Sequence, residues 1–110
     1  QMITQYFKTG ADFEYPLELF DVDANASVAI AANMQIQASI AITRGGIRKR
    51  VATCSVIPMG QVGFFKLIVP AAETSKWYEG DADIEVKMTI EGKVVISDFI
   101  PFTIEKSINP

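Results

Sequence analysis

The run Val62-Gly63-Phe64-Phe65-Lys66-Leu67-Ile68-Val69-Pro70 leads through Thr74-Ser75-Lys76-Trp77-Tyr78-Glu79-Gly80-Asp81 into Ile84-Glu85-Val86-Lys87-Met88. Phe65, Leu67 and Val69 fall on one side of an extended chain and Lys66 on the other, the period of two expected of a strand with one buried face. Ile84, Val86, Met88 and Ile90 alternate in the same way with Asp83, Glu85, Lys87 and Thr89. The corner between them has room for about one turn of α- or 3₁₀-helix, at residues 71–76. Two such strands joined by a corner that carries the single tryptophan predict a chain crossing between the layers of a β-sandwich. Trp77 and Tyr78 would plug one end of the core.

The neighbouring segments extend this pattern. Met34, Ile36, Ala38, Ile40 and Ile42 alternate with Gln35, Gln37, Ser39, Ala41 and Thr43, which specifies a long strand. Gly45-Gly46 follows as a hairpin turn, and 51–57 returns as a strand with Cys54 inside. Phe13, Tyr15, Leu17 and Leu19 share one face of an earlier strand, and Pro16, which cannot donate to a ladder, marks a free edge or a bulge. An edge strand or arm is expected over Ile3 to Phe7, and a short strand or irregular crossing over Val28 to Ala32. Glu91-Gly92 makes a second hairpin, returned by Val94 and Ile96. Phe99-Ile100-Pro101 then disturbs the alternation, as a bulge or a change of partner would, before Phe102 and Ile104 close the core. The count is seven or eight short strands with no competing helical periodicity, an all-β antiparallel sandwich.

With 110 residues the chain fits one domain, 1–110, and 49% apolar against 21% charged residues is ordinary globular composition. A net charge of −3 argues against a nucleic-acid partner. There is no histidine and one cysteine, which excludes His-based triads, multi-ligand zinc sites and an internal disulfide. No apolar run approaches the roughly 18 residues of a membrane helix, and no signal-peptide pattern opens the chain. Met2 reads as the native start, Gln1 as an added residue, and the cytoplasm as the place of folding.

Asp21-Val22-Asp23-Ala24-Asn25-Ala26-Ser27 invites a calcium reading. An EF-hand loop needs Gly at its sixth position and a bidentate Glu at its twelfth, where this chain has Ala26 and Ala32, so an Asx-rich turn is expected. Arg48, Lys49 and Arg50, with Arg44 upstream, form the one basic cluster. It reads as a solvated edge or, through Arg48 and Arg50, as a docking patch for an acidic neighbour. Phe64 and Ile68 point the way Lys66 points and make a candidate contact patch unless a loop or the N-terminal arm covers them. A lone tryptophan between two strands is core filling before it is a sugar-stacking platform. The carboxylates fall in turns or on outward positions, Asp98 excepted. No dyad, phosphate loop or cofactor motif emerges, and the expectation is a protein that is not an enzyme, with no catalytic, cofactor-binding or metal-binding residues.

These residues resemble a group of small immunoglobulin-like proteins of tailed phages and prophages, encoded among virion structural genes. The resemblance lies in Gln5-Tyr6-Phe7-Lys8-Thr9-Gly10, Phe13-Glu14-Tyr15-Pro16-Leu17 and the Asp-rich turn. It continues in Val62-Gly63-Phe64-Phe65-Lys66-Leu67, Thr74-Ser75-Lys76-Trp77, Gly80, Asp83-Ile84 and the closing Phe102-Thr103-Ile104-Glu105-Lys106-Ser107-Ile108. It implies an immunoglobulin-like sandwich without the family disulfide, in a virion or tail-assembly component located in the virion or, during assembly, in the host cytoplasm. Such a component works through contacts with other phage structural proteins, and proteins of this sort commonly self-associate into oligomers. The alternatives are a carbohydrate-binding module using Trp77 and Tyr78 and a calcium-dependent adhesion module using Asp21, Asp23 and Asn25.

Overall fold

The computed structural model describes residues 5–30 and 34–109. Met2, the Ile3-Thr4 start of the first expected strand, and Ala31-Ala32 of the expected crossing lie outside the described residues.

Among the described residues the chain is all-β apart from one helical turn. In order it forms β1 (Tyr6–Lys8), β2 (Phe13–Glu18), β3 (Phe20–Asp21), β4 (Ala26–Ser27), β5 (Met34–Arg44), β6 (Ile47–Pro58), β7 (Phe64–Val69), α1 (Ala71–Thr74), β8 (Gly80–Ile90), β9 (Lys93–Ile96) and β10 (Ile100–Glu105). Eight strands make one sheet in the order β1-β10-β8-β5-β6-β7-β2, with β9 also on β8, while β3 and β4 pair separately. These ten strands exceed the expected seven or eight, the addition that the sequence does not announce being the β3–β4 hairpin of the Asp-rich turn.

β6 serves two neighbours. Ile47 to Cys54 pairs with β5 and Ser55 to Pro58 with β7. The register shifts beside Val51, between the Ile40↔Ala52 and Ala41↔Arg50 pairs, and such an extra residue bends a strand and increases its twist. The sheet therefore folds over. Phe13 of β2 and Phe65, Leu67 and Val69 of β7 enter the same core as Ala38, Ile40 and Ile42 of β5, Ala82, Ile84 and Val86 of β8, and Phe102 and Ile104 of β10. Each fully buried Leu or Ile contributes about 1.5–3 kcal/mol relative to exposure. β7 lies on β2 and β6, and β8 on β5, β9 and β10, so the Trp77 corner does carry the chain from one part of the sheet to the other.

Two glycine hairpins set the registers. Arg44 pairs with Ile47 across Gly45 (φ 58°) and Gly46 (φ 79°), and Ile90 with Lys93 across Glu91 (φ 49°) and Gly92 (φ 80°). Both are two-residue loops with positive φ at each position, the turn whose twist matches that of the strands it joins.

The sheet is mixed rather than antiparallel. β1 runs parallel to β10, with Tyr6, Phe7 and Lys8 beside Thr103, Ile104 and Glu105, because residues 9–12 carry the chain across to β7 instead of turning it back on β1. Thr74 holds this crossing in place. Its buried hydroxyl donates to Ala11 O at 2.7 Å and accepts from Gly10 N–H at 3.1 Å, while Asp12 Oδ1 accepts from Ala71 N–H at 2.8 Å. Gly63 (φ 80°) marks a second close approach: a Cβ there would stand 2.8 Å from Val28 O and 3.0 Å from Leu19 O. The disturbed alternation near Pro101 is a bulge. β9 and β10 both pair with β8, and Lys87↔Ile96 against Ile84↔Ile100 leaves one extra residue in between.

Candidate interaction surface

Trp77 is 2% exposed, with ring centroids 5.6 Å from Phe7 and 5.8 Å from Phe13. Its indole Nε1–H has no hydrogen-bond partner among the described residues. A buried ring offers no face to a sugar, so Trp77 fills the core. Tyr78 does not share that place. It is 54% exposed, because the irregular segment after α1 turns consecutive side chains to different sides, and the guanidinium of Arg44 stands 3.9 Å above its ring. The expectation that Tyr78 belongs to the core corner is corrected to a surface cation–π pair.

Arg48 and Arg50 lie on the outward side of β6, exposed. Arg48 is already engaged: its Nε donates to Asp83 Oδ2 at 3.2 Å across β5, and its guanidinium lies 3.9 Å over the Phe99 ring. These groups, with Arg50, Glu85, Ser39 and Ala41, line a shallow basin of about 310 Å³ whose charges are mixed rather than basic. Phe64 and Ile68 sit elsewhere, half-buried on the outer side of β7 opposite Glu18 and Glu14. Lys66 stands between them and its Nζ lies 3.1 Å from Glu14 Oε1. The fold thus places the four candidates on different parts of the sheet, in two separate pairs.

In the Asp-rich turn, Asp21 Oδ1 accepts from Asp23 N–H at 2.9 Å and Ala24 N–H at 3.2 Å, the Asx turn that the sequence suggests. Among the described residues no three His, Cys, Asp or Glu side chains gather as a metal site. Cys54 is buried, and burial first, then Glu73, pushes its thiol up to about 11, which keeps it protonated and unreactive at neutral pH.

A groove of about 460 Å³ opens where β1 and β2 fail to meet, lined by Tyr6, Phe7, Phe13, Tyr15 and Pro16 among others. Its floor is the aromatic cluster already described, in which Phe7 and Phe13 meet edge to face at 5.1 Å.

The surface that sequence reasoning missed is β9. Val94, Val95 and Ile96 are 50%, 46% and 56% exposed, and among the described residues β9 pairs with β8 alone. Three consecutive β-branched apolar residues cannot all point inward from a strand, and that break in the alternation was the available signal. The hydrogen bond from Ser97 N–H to Val86 O at 2.8 Å fixes the alternation of the ladder. Lys93 and Val95 turn their amides and carbonyls toward β8, and Val94 and Ile96 turn theirs outward. β9 therefore presents an apolar strand with open hydrogen-bonding groups, which is what another strand requires for sheet extension. Compared with models of known protein families the chain matches none, and a comparison with curated proteins finds no match.

Proposed function

We propose that this chain is a non-enzymatic assembly module, an immunoglobulin-like β-sandwich that acts by docking to other proteins. The setting is the virion or tail region of a tailed phage or prophage, which the resemblance of the Gln5-Tyr6-Phe7 opening, the Trp77 corner and the closing strand implies. The observation that carries the docking role is β9, whose apolar residues are exposed and which among the described residues pairs with β8 alone. The sandwich reading draws support from a sheet that folds over at β6 around one core. The carbohydrate alternative loses its platform with the burial of Trp77, and the calcium alternative has Asp21 Oδ1 occupied by backbone amides.

The test is genetic. The gene is deleted from the genome that encodes it, particle production is induced, and particles are imaged by electron microscopy and titred. Defective particles restored by the wild-type chain, and not by a Val94→Lys/Ile96→Lys chain of equal thermal stability, are the expected result. Normal, infectious particles in the deletion would refute the proposal.

A further inference from the structure

We propose that the basin at the end of the β1–β10 pair binds a phosphate group. It lies where residues 9–12 cross from β1 to β2, α1 begins and the chain leaves β10, a part of the fold that the docking reading does not use.

The ligand class follows from the lining. The basin encloses about 590 Å³, a size that takes a small organic ligand, and Lys8, Thr9, Ser75, Lys106, Ser107 and Asn109 surround it together with small residues of the crossing and of α1. Each of those six side chains can donate a hydrogen bond, and no carboxylate lines the basin, in a chain with 13 Asp and Glu against 10 Lys and Arg. Lys8 and Lys106 are exposed, and neither takes part in an ion pair among the described residues. Glu105, opposite Lys8 in the parallel ladder, makes no ion pair with it and does not line the basin. Asp12 Oδ1 is taken up by Ala71 N–H at 2.8 Å.

The hydroxyls supply an independent observation. Thr9 is 6% exposed; its N–H donates to Glu105 O at 2.9 Å, and its Oγ1 accepts from Ser107 N–H at 3.3 Å. Ser107 Oγ in turn accepts from Asn109 N–H at 3.1 Å. Both oxygens act as acceptors, and neither proton has an acceptor among the described residues. A buried hydroxyl ordinarily places its proton on a partner, and for Thr9 the basin is the opening through which an acceptor can reach it.

Charge and acceptor number select phosphate among the oxyanions. A phosphate monoester near neutral pH carries about −1.5 to −2 charge and three strong acceptor oxygens. Two ammonium groups and two hydroxyl protons meet both requirements. A carboxylate, with one charge and two oxygens, would leave a lysine and a hydroxyl without a partner. The basin is also larger than the ion, which leaves space for an esterified group beside Ser75 and Asn109.

The test is titration of the full chain with inorganic phosphate, glycerol 3-phosphate and acetate, at an ionic strength held constant with sodium chloride and followed by amide NMR. Phosphate and glycerol 3-phosphate are expected to saturate with a Kd of about 1 mM or tighter, shifting the amides of residues 8–11 and 106–109, while acetate binds at least about tenfold more weakly. Tighter binding of glycerol 3-phosphate than of phosphate assigns the site to an ester, and equal binding assigns it to the ion. Lys8→Gln/Lys106→Gln is expected to keep the melting temperature of the wild type and to bind phosphate about twentyfold more weakly, the product of two exposed charge contacts. Shifts that grow without saturation, acetate binding as tightly as phosphate, or a double-glutamine chain that binds like the wild type would each overturn the site.

Discussion

Thr74→Val removes one oxygen from the point where the chain crosses from β1 to β2. Valine has nearly the volume of threonine, so no cavity opens. What is lost is the hydroxyl that donates to Ala11 O at 2.7 Å and accepts from Gly10 N–H at 3.1 Å, at a position with no solvent exposure. Two part-buried backbone groups are left unpaired at about 1–1.5 kcal/mol each, and some of that is offset because valine is cheaper to bury, for a net loss of about 2 kcal/mol. Unfolding entropy near the midpoint is about 2.1 cal/mol/K per residue, so about 0.23 kcal/mol/K for this chain, and Tm should fall by about 9 °C. Thr74→Ser keeps the hydroxyl and should lose less than half as much. Thermal unfolding followed by circular dichroism measures both, and amide exchange at Gly10 reports the local opening. A Thr74→Val protein melting within about 2 °C of wild type would refute the assignment of the crossing to this hydroxyl.

Three further outcomes are expected. Gly63→Ala should cost at least about 2 kcal/mol in urea unfolding, from positive φ and the approach to Val28 O, whereas Gly46→Ala, with open space at its Cβ, should cost about 1 kcal/mol; equal costs would contradict the close approach. Trp77→Ala should cost about 3–5 kcal/mol, and Trp77→Phe much less, since phenylalanine fills most of the space and removes the unpartnered N–H; a phenylalanine variant as unstable as the alanine variant would count against that. The Cys54 thiol is raised from 9.0 to about 11 in the folded chain, so its contribution is whole below pH 9 and lost as pH rises through about 11. Urea midpoints from pH 8 to 11 should therefore fall more steeply for wild type than for Cys54→Ala, and parallel curves would contradict it.

Much of the fold was legible because period-two patterning acts locally. The inward residues of β5, β7 and β8, the glycine hairpins at Gly45-Gly46 and Glu91-Gly92, the turn of α1 and the burial of Trp77 all follow from neighbours in the sequence. Pairings between distant segments were not legible. Nothing near Tyr6 announces that it lies parallel to Thr103, and Gly63 shows no local sign of the backbone that passes above it. Alternation assigns a residue to a face without saying what covers that face. Patterning sets Phe64, Lys66 and Ile68 on one face, but it does not show that β2 brings Glu18 and Glu14 beside them and pairs Glu14 with Lys66. The same limit hid β9, which patterning placed on a return strand like any other, although the sheet has no strand beyond it among the described residues. Arg48 read as free charge because its partners, Asp83 and Phe99, come from segments far along the chain.

The claim that β9 is an open edge suited to strand addition is tested most directly by amide hydrogen exchange at single-residue resolution. The account predicts fast exchange at Val94 and Ile96, whose amides face away from β8, and slower exchange at Lys93 and Val95, whose amides face it. Equal protection at all four amides would contradict it.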